Sequence, residues 1–360
     1  MTEQLVYTSS PVFEIDGEDR GELARDVVHL EVAEGTDGLK TLMARFVAIG
    51  PNGGEQEALL YLDGQVIDFG KQLRLSIGPP NNQRYIFDGY ISALEVSFEE
   101  GDEPEVCVHA EDRLMDLRMT RRARSYEEMS DADIAGEIAA EHGLNAQVDA
   151  DGPTYDRIQQ WNMSDLAFLR ERARLIQAEV WVDGDDLFFK TRDRRHGTEI
   201  TLLRGTDIIT VQACADLAHQ RTAVRVSGYD AQQREVIDEE AGDDAIQAEV
   251  SQGRSGPSVL QSAFGERISR RVREVALNSN EAAEWARAEM LRRSRRFITV
   301  NGVTRGTPDM IVGSLLDLQH MGTPFNGSDY YVTHVCHSYD LAQGHRTTFC
   351  AERATLGSYS

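Results

Sequence analysis

Hydrophobic periodicity changes twice between Tyr126 and Arg192, and that change limits the chain to a mixed helix and strand architecture. Ser130 stands where a helix cap belongs and Asp133 follows three residues later, an acidic capping box that satisfies free amides at a helix start. Ile134, Ile138 and Ala139 then share a face, and Gly143 after His142 is a stop signal. A second helix is expected from Ser164. Leu166, Leu169, Ala173 and Ile176 form its apolar stripe, while Arg170, Glu171, Arg172 and Arg174 take the remaining positions. Val180 and Val182 alternate with Trp181, Asp183-Gly184 supplies a tight turn, and Leu187 to Lys190 returns as a strand. A helix, helix, hairpin unit of about 65 residues results, a size that buries little core alone. It holds no catalytic constellation and points to assembly.

The 360 residues are enough for about two to three domains. Lys plus Arg number 37 against 61 for Asp plus Glu, so the net charge of -24 argues against a phosphate-binding surface and excludes tight nucleic-acid binding. Lys40, Lys71 and Lys190 are the only lysines. The densest acidic run, Asp238, Glu239, Glu240, Asp243 and Asp244, reads as a solvated loop; its functional alternative is a repulsive wall along a channel. Cys107, Cys214, Cys336 and Cys350 lie far apart, without zinc-site spacing, and imply no disulfide framework. The start, MTEQLVYTSS, lacks a basic region followed by an apolar core, and no run reaches the roughly 20 apolar residues that span a bilayer. The expectation is synthesis in the cytoplasm without a signal peptide, and no membrane insertion.

From Tyr7 to His109 the chain reads as short strands, the pattern of a barrel or sandwich. Phe13 to Ile15 precedes Asp16-Gly17, Val27 to Val32 alternates, and Leu42 to Ile49 precedes Pro51-Asn52-Gly53-Gly54. Leu73, Leu75 and Ile77 point one way; Tyr85 to Ser97 and Glu105 to His109 add two strands. A second β-rich region begins near Thr198, with strands at Thr210 to Val211 and Ala223 to Ser227. Tyr229 to Asn280 shows little periodicity, and Gln252-Gly253-Arg254-Ser255-Gly256-Pro257 is a loop signal, so this stretch is expected to be a weakly structured insertion. Asn280 then caps a helix whose Ala282, Trp285, Ala286, Met290 and Leu291 share a side. Strands at Ile298 to Val300, Leu315 to Leu318, Tyr330 to Ser338 and Arg346 to Ala351 follow. The two β regions are candidates for related barrels, one continuous and one interrupted.

Residues with chemical potential read better as structure. His334 and Cys336 share one face of a strand while His337 takes the other, so three metal ligands cannot converge locally. Asp183, Asp185 and Asp186 lack the remaining ligands of a calcium loop. Ser130 and Ser164 are caps, and there is no Gly-x-Ser-x-Gly elbow. Carboxylate pairs are too abundant to single out a glycosidase pair, and Gly302, Gly306 and Gly313 lack the order of a phosphate cradle. Trp161, Trp181 and Trp285 read as core residues. We expect no enzyme, with no catalytic, cofactor-binding or metal-ligating residue, no cofactor, and no interface residue assignable from the sequence.

Three stretches carry a family resemblance: Tyr126-x-x-Met129-Ser130-Asp131-x-Asp133-Ile134-Ala135, then Gln160-Trp161-Asn162-x-Ser164-Asp165-Leu166-x-Phe168-Leu169-x-x-Arg172-Ala173, then Ala178 to Val182. With Phe87-Asp88-Gly89-Tyr90-Ile91, Glu111-Asp112-Arg113-Leu114, Gly327-x-x-Tyr330-Tyr331-Val332-Thr333-His334-Val335-x-His337 and Arg346-Thr347-Thr348-Phe349, the chain resembles the phage late control gene D proteins. These are the central baseplate hubs of contractile tails, similar to the N-terminal hub part of type VI secretion VgrG spikes. The resemblance implies an α+β fold of two tube-like antiparallel β-barrels. The first spans 1–115; a helix-helix-hairpin insertion spans 116–195; the second barrel takes 196–228 and 297–360, interrupted by an insertion at 229–296 with a helix over 281–296. It implies a homotrimer, a symmetry adaptor between a trimeric spike and a hexameric inner tube protein, among other baseplate proteins of a phage tail or contractile injection particle. Because the chain ends at Ser360, the spike is expected to be a separate polypeptide, and acidic side chains are expected along the channel. The rival expectation is a tail-associated carbohydrate-acting hydrolase.

Overall fold

Alternation of buried and exposed residues places the N-terminal strands around one core. The computed structural model describes residues 10–51, 57–79, 83–247, 249–250 and 253–357, so Tyr7, Asn52-Gly53-Gly54, Gln252 and Ser360 lie outside the described residues. Strand β1 (Val12–Ile15) turns at Asp16-Gly17, both with positive φ, into β2 (Glu18–Asp19). A short helix, α1 (Gly21–Asp26), leads to β3 (Val27–Gly35) and β4 (Thr41–Val47), and β5 (Ile49–Pro51) with β6 (Glu57–Leu59) forms a side ribbon. Then come β7 (Gln72–Ile77), β8 (Arg84–Ser97) and β9 (Glu105–Glu111). Their order is β2-β1-β7-β8-β9-β4-β3. Phe13, Phe46, Leu75, Phe87, Val108 and Leu23 of α1 fill the core.

The middle of the chain realises the expected helices. After α2 (Leu114–Met119) and β10 (Arg121–Ser130), helix α3 (Asp131–Glu141) opens on the reciprocal Ser130 and Asp133 capping box, and Gly143 follows with positive φ. Strands β11 (Asn145–Asp149) and β12 (Thr154–Ser164) come next; α4 (Asp165–Ile176) is capped by the Ser164 hydroxyl, which accepts from the Ala167 amide. The hairpin of β13 (Ala178–Asp183) and β14 (Asp186–Thr191) turns at Gly184 and takes β11 as a parallel third strand. The β10–β12 ribbon is an addition to the sequence reading. It corrects Trp161, which is 73% exposed on that ribbon rather than a core residue.

The C-terminal half begins with β15 (Glu199–Leu203) and β16 (Ile208–Ala215). The following stretch is ordered, against the expectation of a weakly structured insertion. Strands β17 (Ala223–Asp230) and β18 (Glu235–Gly242) form a hairpin, followed by α5 (Asp244–Gln247) and β19 (Arg254–Ser255). Ser255 caps α6 (Gly256–Phe264), and β20 (Ile268–Ala276) joins β17 in a three-stranded sheet. Strand β17, expected within the second barrel, thus pairs β18 and β20 and not the large sheet. The acidic run sits on and just beyond β18, not in a loop, and Asp238 and Glu240 pair with Arg225 across the hairpin. The apolar period was invisible because Ile237 is the only fully buried side chain of β18. Helix α7 (Ser279–Arg295) is capped by Asn278, two residues before the expected Asn280. Its Ala282, Trp285 and Ala286 join Ile138, Leu169, Val180 and Phe189 in one core shared with the middle segment.

The remaining strands are β21 (Ile298–Thr304), β22 (Leu315–Gln319), β23 (Gly327–Asp340), β24 (Gly344–Arg353) and the short β25 (Thr355–Leu356), which pairs β19. They pack around Phe297, Val300, Leu316, Tyr330, Val332 and Phe349. Both halves follow one plan: β1-β7-β8-β9-β4-β3 is matched, in the same chain order, by β15-β22-β23-β24-β21-β16. Bulges recur at equivalent places, between Ile91 and Ala93 on β8 and between Val332 and His334 on β23. Another pair lies between Val27 and His29 on β3 and between Ile208 and Thr210 on β16. One departure is that β1 meets β7 antiparallel while β15 meets β22 parallel. The two halves are not separate sheets. The second part of β23 pairs β3 antiparallel, from His334 opposite Gly35 to Asp340 opposite His29, and makes one sheet of 13 strands.

Candidate assembly surface

A buried ion network locks the middle segment against both halves of the sheet. Glu179, at the start of the hairpin, accepts from Arg195 at 3.1 Å and from the Tyr331 hydroxyl at 2.8 Å. Arg195 also donates to Glu34 of β3 at 2.6 Å, and Glu34 meets Lys40 at 3.2 Å. Arg192 reaches Glu352 at 2.5 Å and lies 4.2 Å over the Tyr331 ring, while Arg195 stacks 4.1 Å over Trp181. Burial pushes the Tyr331 phenol upward, and the neighbouring Glu179 carboxylate adds to it. Trp181 is therefore half-buried beneath a guanidinium. Truncation of one partner in such a network leaves buried polar groups short of a hydrogen bond.

Beside this network a cleft of about 860 Å³ opens between α4, α7 and the sheet. Arg170, Arg174, Arg192, Arg292, Arg295 and Arg296 line it, together with Glu179 and Glu352. Its carboxylates are engaged in ion pairs with those arginines or with Arg195, as Arg192 with Glu352 shows. No sequence motif announces the cleft, because its residues come from six separate stretches.

The residues weighed for chemistry fall as follows. His334 and Cys336 are half-buried on one face of β23, while His337 is buried on the other, so the three do not meet. His337 Nε2–H donates to the Met310 carbonyl at 3.0 Å, and its Nδ1 lies 3.1 Å from the Thr347 hydroxyl. Burial, with His345 adjacent, pushes the ring down to about 3, so it stays neutral. Asp183 and Asp186 pair across the hairpin and Asp185 meets Arg113. A different cluster, which sequence spacing could not reveal, brings Glu95 of β8 beside Cys107 and His109 of β9. His109 Nε2 lies 3.2 Å from Glu95 and 3.6 Å from the Cys107 sulfur. Two of these groups sit on adjacent strands in direct register, Glu95 opposite Cys107.

Among the strand edges left open in the described residues, two belong to the large sheet at corresponding ends of its two halves. On the side away from β9, β8 is covered by β7 only as far as Tyr90, with Ile91 bonded to Lys71, and Ala93–Ser97 run on uncovered. Strand β16 ends the sheet, touched on its outer side only by an isolated bridge between Arg204 and Ile208. Val96 (47% exposed), Phe98 (61%) and Ile209 (42%) stand at these edges. Exposed apolar strand edges of this kind are pairing surfaces.

The same architecture recurs in solved tail proteins. A 43 kDa tail protein of prophage MuSo2 from Shewanella oneidensis is similar over 96% of this chain and 99% of its own, at 14% identity and a TM-score of 0.67. A tail protein from Neisseria meningitidis MC58 matches over 96% and 97%, at 11% identity and a TM-score of 0.67. An E. coli component of the type VI secretion system, described as structurally similar to the T4 bacteriophage tail proteins gp27 and gp5, matches over 97% of this chain and 79% of its own, at 13% identity and a TM-score of 0.62. The chain thus has the α+β fold of phage tail proteins. A comparison with curated protein sequences finds no match. A family model described as the Alg8 N-terminal domain matches residues 52–340, and the chain belongs to that family.

Proposed function

We propose that this chain is a structural part of a phage tail or contractile injection particle: the central baseplate hub, of the late control gene D kind. In this reading three copies form a homotrimer that adapts a trimeric spike, a separate polypeptide, to the hexameric inner tube, in contact with other baseplate proteins. The observation that carries the reading is the repeated plan of the two β halves, fused into one sheet. A three-fold ring meets a six-fold ring only if each protomer offers two near-equivalent surfaces, and six matching strands in each half supply them. Whole-length likeness to tail proteins and to a type VI secretion component supports the same role.

Hub function requires no chemistry, and we read the protein as non-enzymatic. The carboxylates at the arginine cleft are engaged as ion-pair partners rather than left as free acid and base. Purified protein should turn over no peptidoglycan, and native mass spectrometry should give three copies per particle that capture inner tube protein. A stable monomer at micromolar concentration, or hydrolysis of cell-wall glycan, would remove the proposal.

A further inference from the structure

Each half of the sheet contains one long strand that outruns its outer neighbour. In the C-terminal half this strand is β23: its first part pairs β22 and its second part pairs β3. In the N-terminal half it is β8, also 14 residues, whose first part pairs β7 while Ala93–Ser97 find no outer partner among the described residues. The missing partner has an identifiable counterpart. Strand β3 corresponds to β16, since Leu30 faces Ala44 and Val32 faces Leu42 just as Val211 faces Gly302 and Ala213 faces Val300. Of the two junctions that this repeat calls for, the chain makes one, β23 with β3. The other two edges, β8 and β16, bracket the run of strands β21-β24-β23-β3-β4-β9 and do not reach each other.

We propose that the Ala93–Ser97 edge of one copy pairs antiparallel with the β16 edge of a second copy of this chain, in the register that β23 and β3 already display. The register transfers residue by residue. Leu94 opposite Val108 corresponds to Val335 opposite Phe349, and Glu95 opposite Cys107 to Cys336 opposite Thr348. Since Cys336 faces Ala33 and His337 faces Val32, Glu95 faces Cys214 of the second copy and Val96 faces its Ala213. Leu94 then faces Ala215, and Ser97 faces Gln212.

Burial agrees with this assignment. In the junction made within the chain, His337 is 4% exposed and Val32 is 2% exposed. Their counterparts at the open edges are Val96, 47% exposed, and Ala213, half-buried. A contact between unlike edges runs head to tail, so it closes a ring or grows a filament. Closure at three copies rests on the hub reading above. The ring would then alternate three junctions within chains with three between chains.

The chain carries a cysteine at the decisive position. Directly opposed antiparallel residues hold their Cβ atoms about 4.5–5.5 Å apart, close enough for a disulfide after small adjustment. Cys107 faces Glu95 within the chain and is removed first. In the Cys107→Ser, Glu95→Cys variant, mild oxidation should convert most of the protein into disulfide-linked dimers and trimers on a non-reducing gel. Cys214→Ser added to that background should abolish the ladder. Val96→Cys, one position out of register and on the other face, should give at least tenfold less linkage. Hydrogen exchange of the unsubstituted assembly provides a second readout, with amides of Leu94–Ser97 and Gln212–Ala215 slowed more than tenfold relative to monomer obtained by dilution. Three copies by native mass without the ladder, or with equal linkage from Val96→Cys, would overturn the pairing and leave the trimer standing. Unprotected amides in the assembly would overturn it even if the variants fail to fold. A monomer by native mass would overturn both readings.

Discussion

His337 shows what one buried ring contributes. Its two nitrogens are satisfied by Met310 and Thr347, and burial holds it down to about 3, with His345 at about 4 for the same main reason. Unfolded, a histidine titrates near 6.5. Because the folded values lie lower, protons bind the unfolded chain preferentially below pH 6.5, and stability falls from there toward pH 3. His337→Asn removes one such proton site. Between pH 6.5 and pH 5 the natural protein should lose about 2 kcal/mol more stability than the variant, read from urea unfolding at the two pH values. Asp112 acts in the opposite sense, since burial raises its carboxyl to about 6 and stability grows as pH falls through that value; it is common to both proteins and cancels. Equal losses would mean that the ring is charged in the folded chain. At this scale the sequence was informative where the signal is local. The alternation around His334, Cys336 and His337 separated their faces correctly, whereas Glu95, Cys107 and His109 meet across a strand pair that no spacing encodes.

Helix α3 was legible because a cap, a stripe and a stop follow one another between Ser130 and Gly143, and α4 because the Ser164 cap leads directly into its apolar stripe. Helix α7 was legible in its body and misplaced at its start. Asn278 is the true cap: its side chain accepts from the Glu281 amide at 2.9 Å, and Glu281 accepts in turn from the Leu277 amide at 3.0 Å. Asn278→Ala should therefore cost about 1 kcal/mol, while Asn280→Ala should change stability by less than about 0.5 kcal/mol, compared by thermal unfolding. The reverse order would place the cap at Asn280. The ribbon of β10 and β12 was missed for a physical reason: on β10, Tyr126 is the only fully buried side chain, so no period-two apolar signal exists. Stability there comes from pairing and from ion pairs such as Arg124 with Glu141 at 2.6 Å.

Across the whole molecule, the two β regions could be counted from the sequence, but their fusion could not. Pairing of β23 with β3 joins residues about three hundred positions apart, and which strand edges meet is decided by packing rather than by local pattern. The network of Glu179, Arg195, Glu34 and Tyr331 then fixes the helical segment against that joint. Glu179→Ala leaves Arg195 with Glu34 as its remaining carboxylate and the buried Tyr331 hydroxyl without its acceptor, and should cost about 1–3 kcal/mol, while pairing it with Arg195→Met should cost less than the two single losses together. Additive losses in a double-mutant cycle would mean the two groups act independently.

The joint also governs how the protein comes into being. Until the ribosome has delivered the last thirty or so residues of the sheet, the outer edge of β3 waits bare, in a nascent chain that already exposes Val32 and its neighbours. Loop closure over so long a separation is slow, and the waiting edge is a template for the wrong partner. A cell making this protein must therefore shield an unfinished seam for most of translation, and copies released early by premature termination would be lost to clumping instead of surviving as half-built parts.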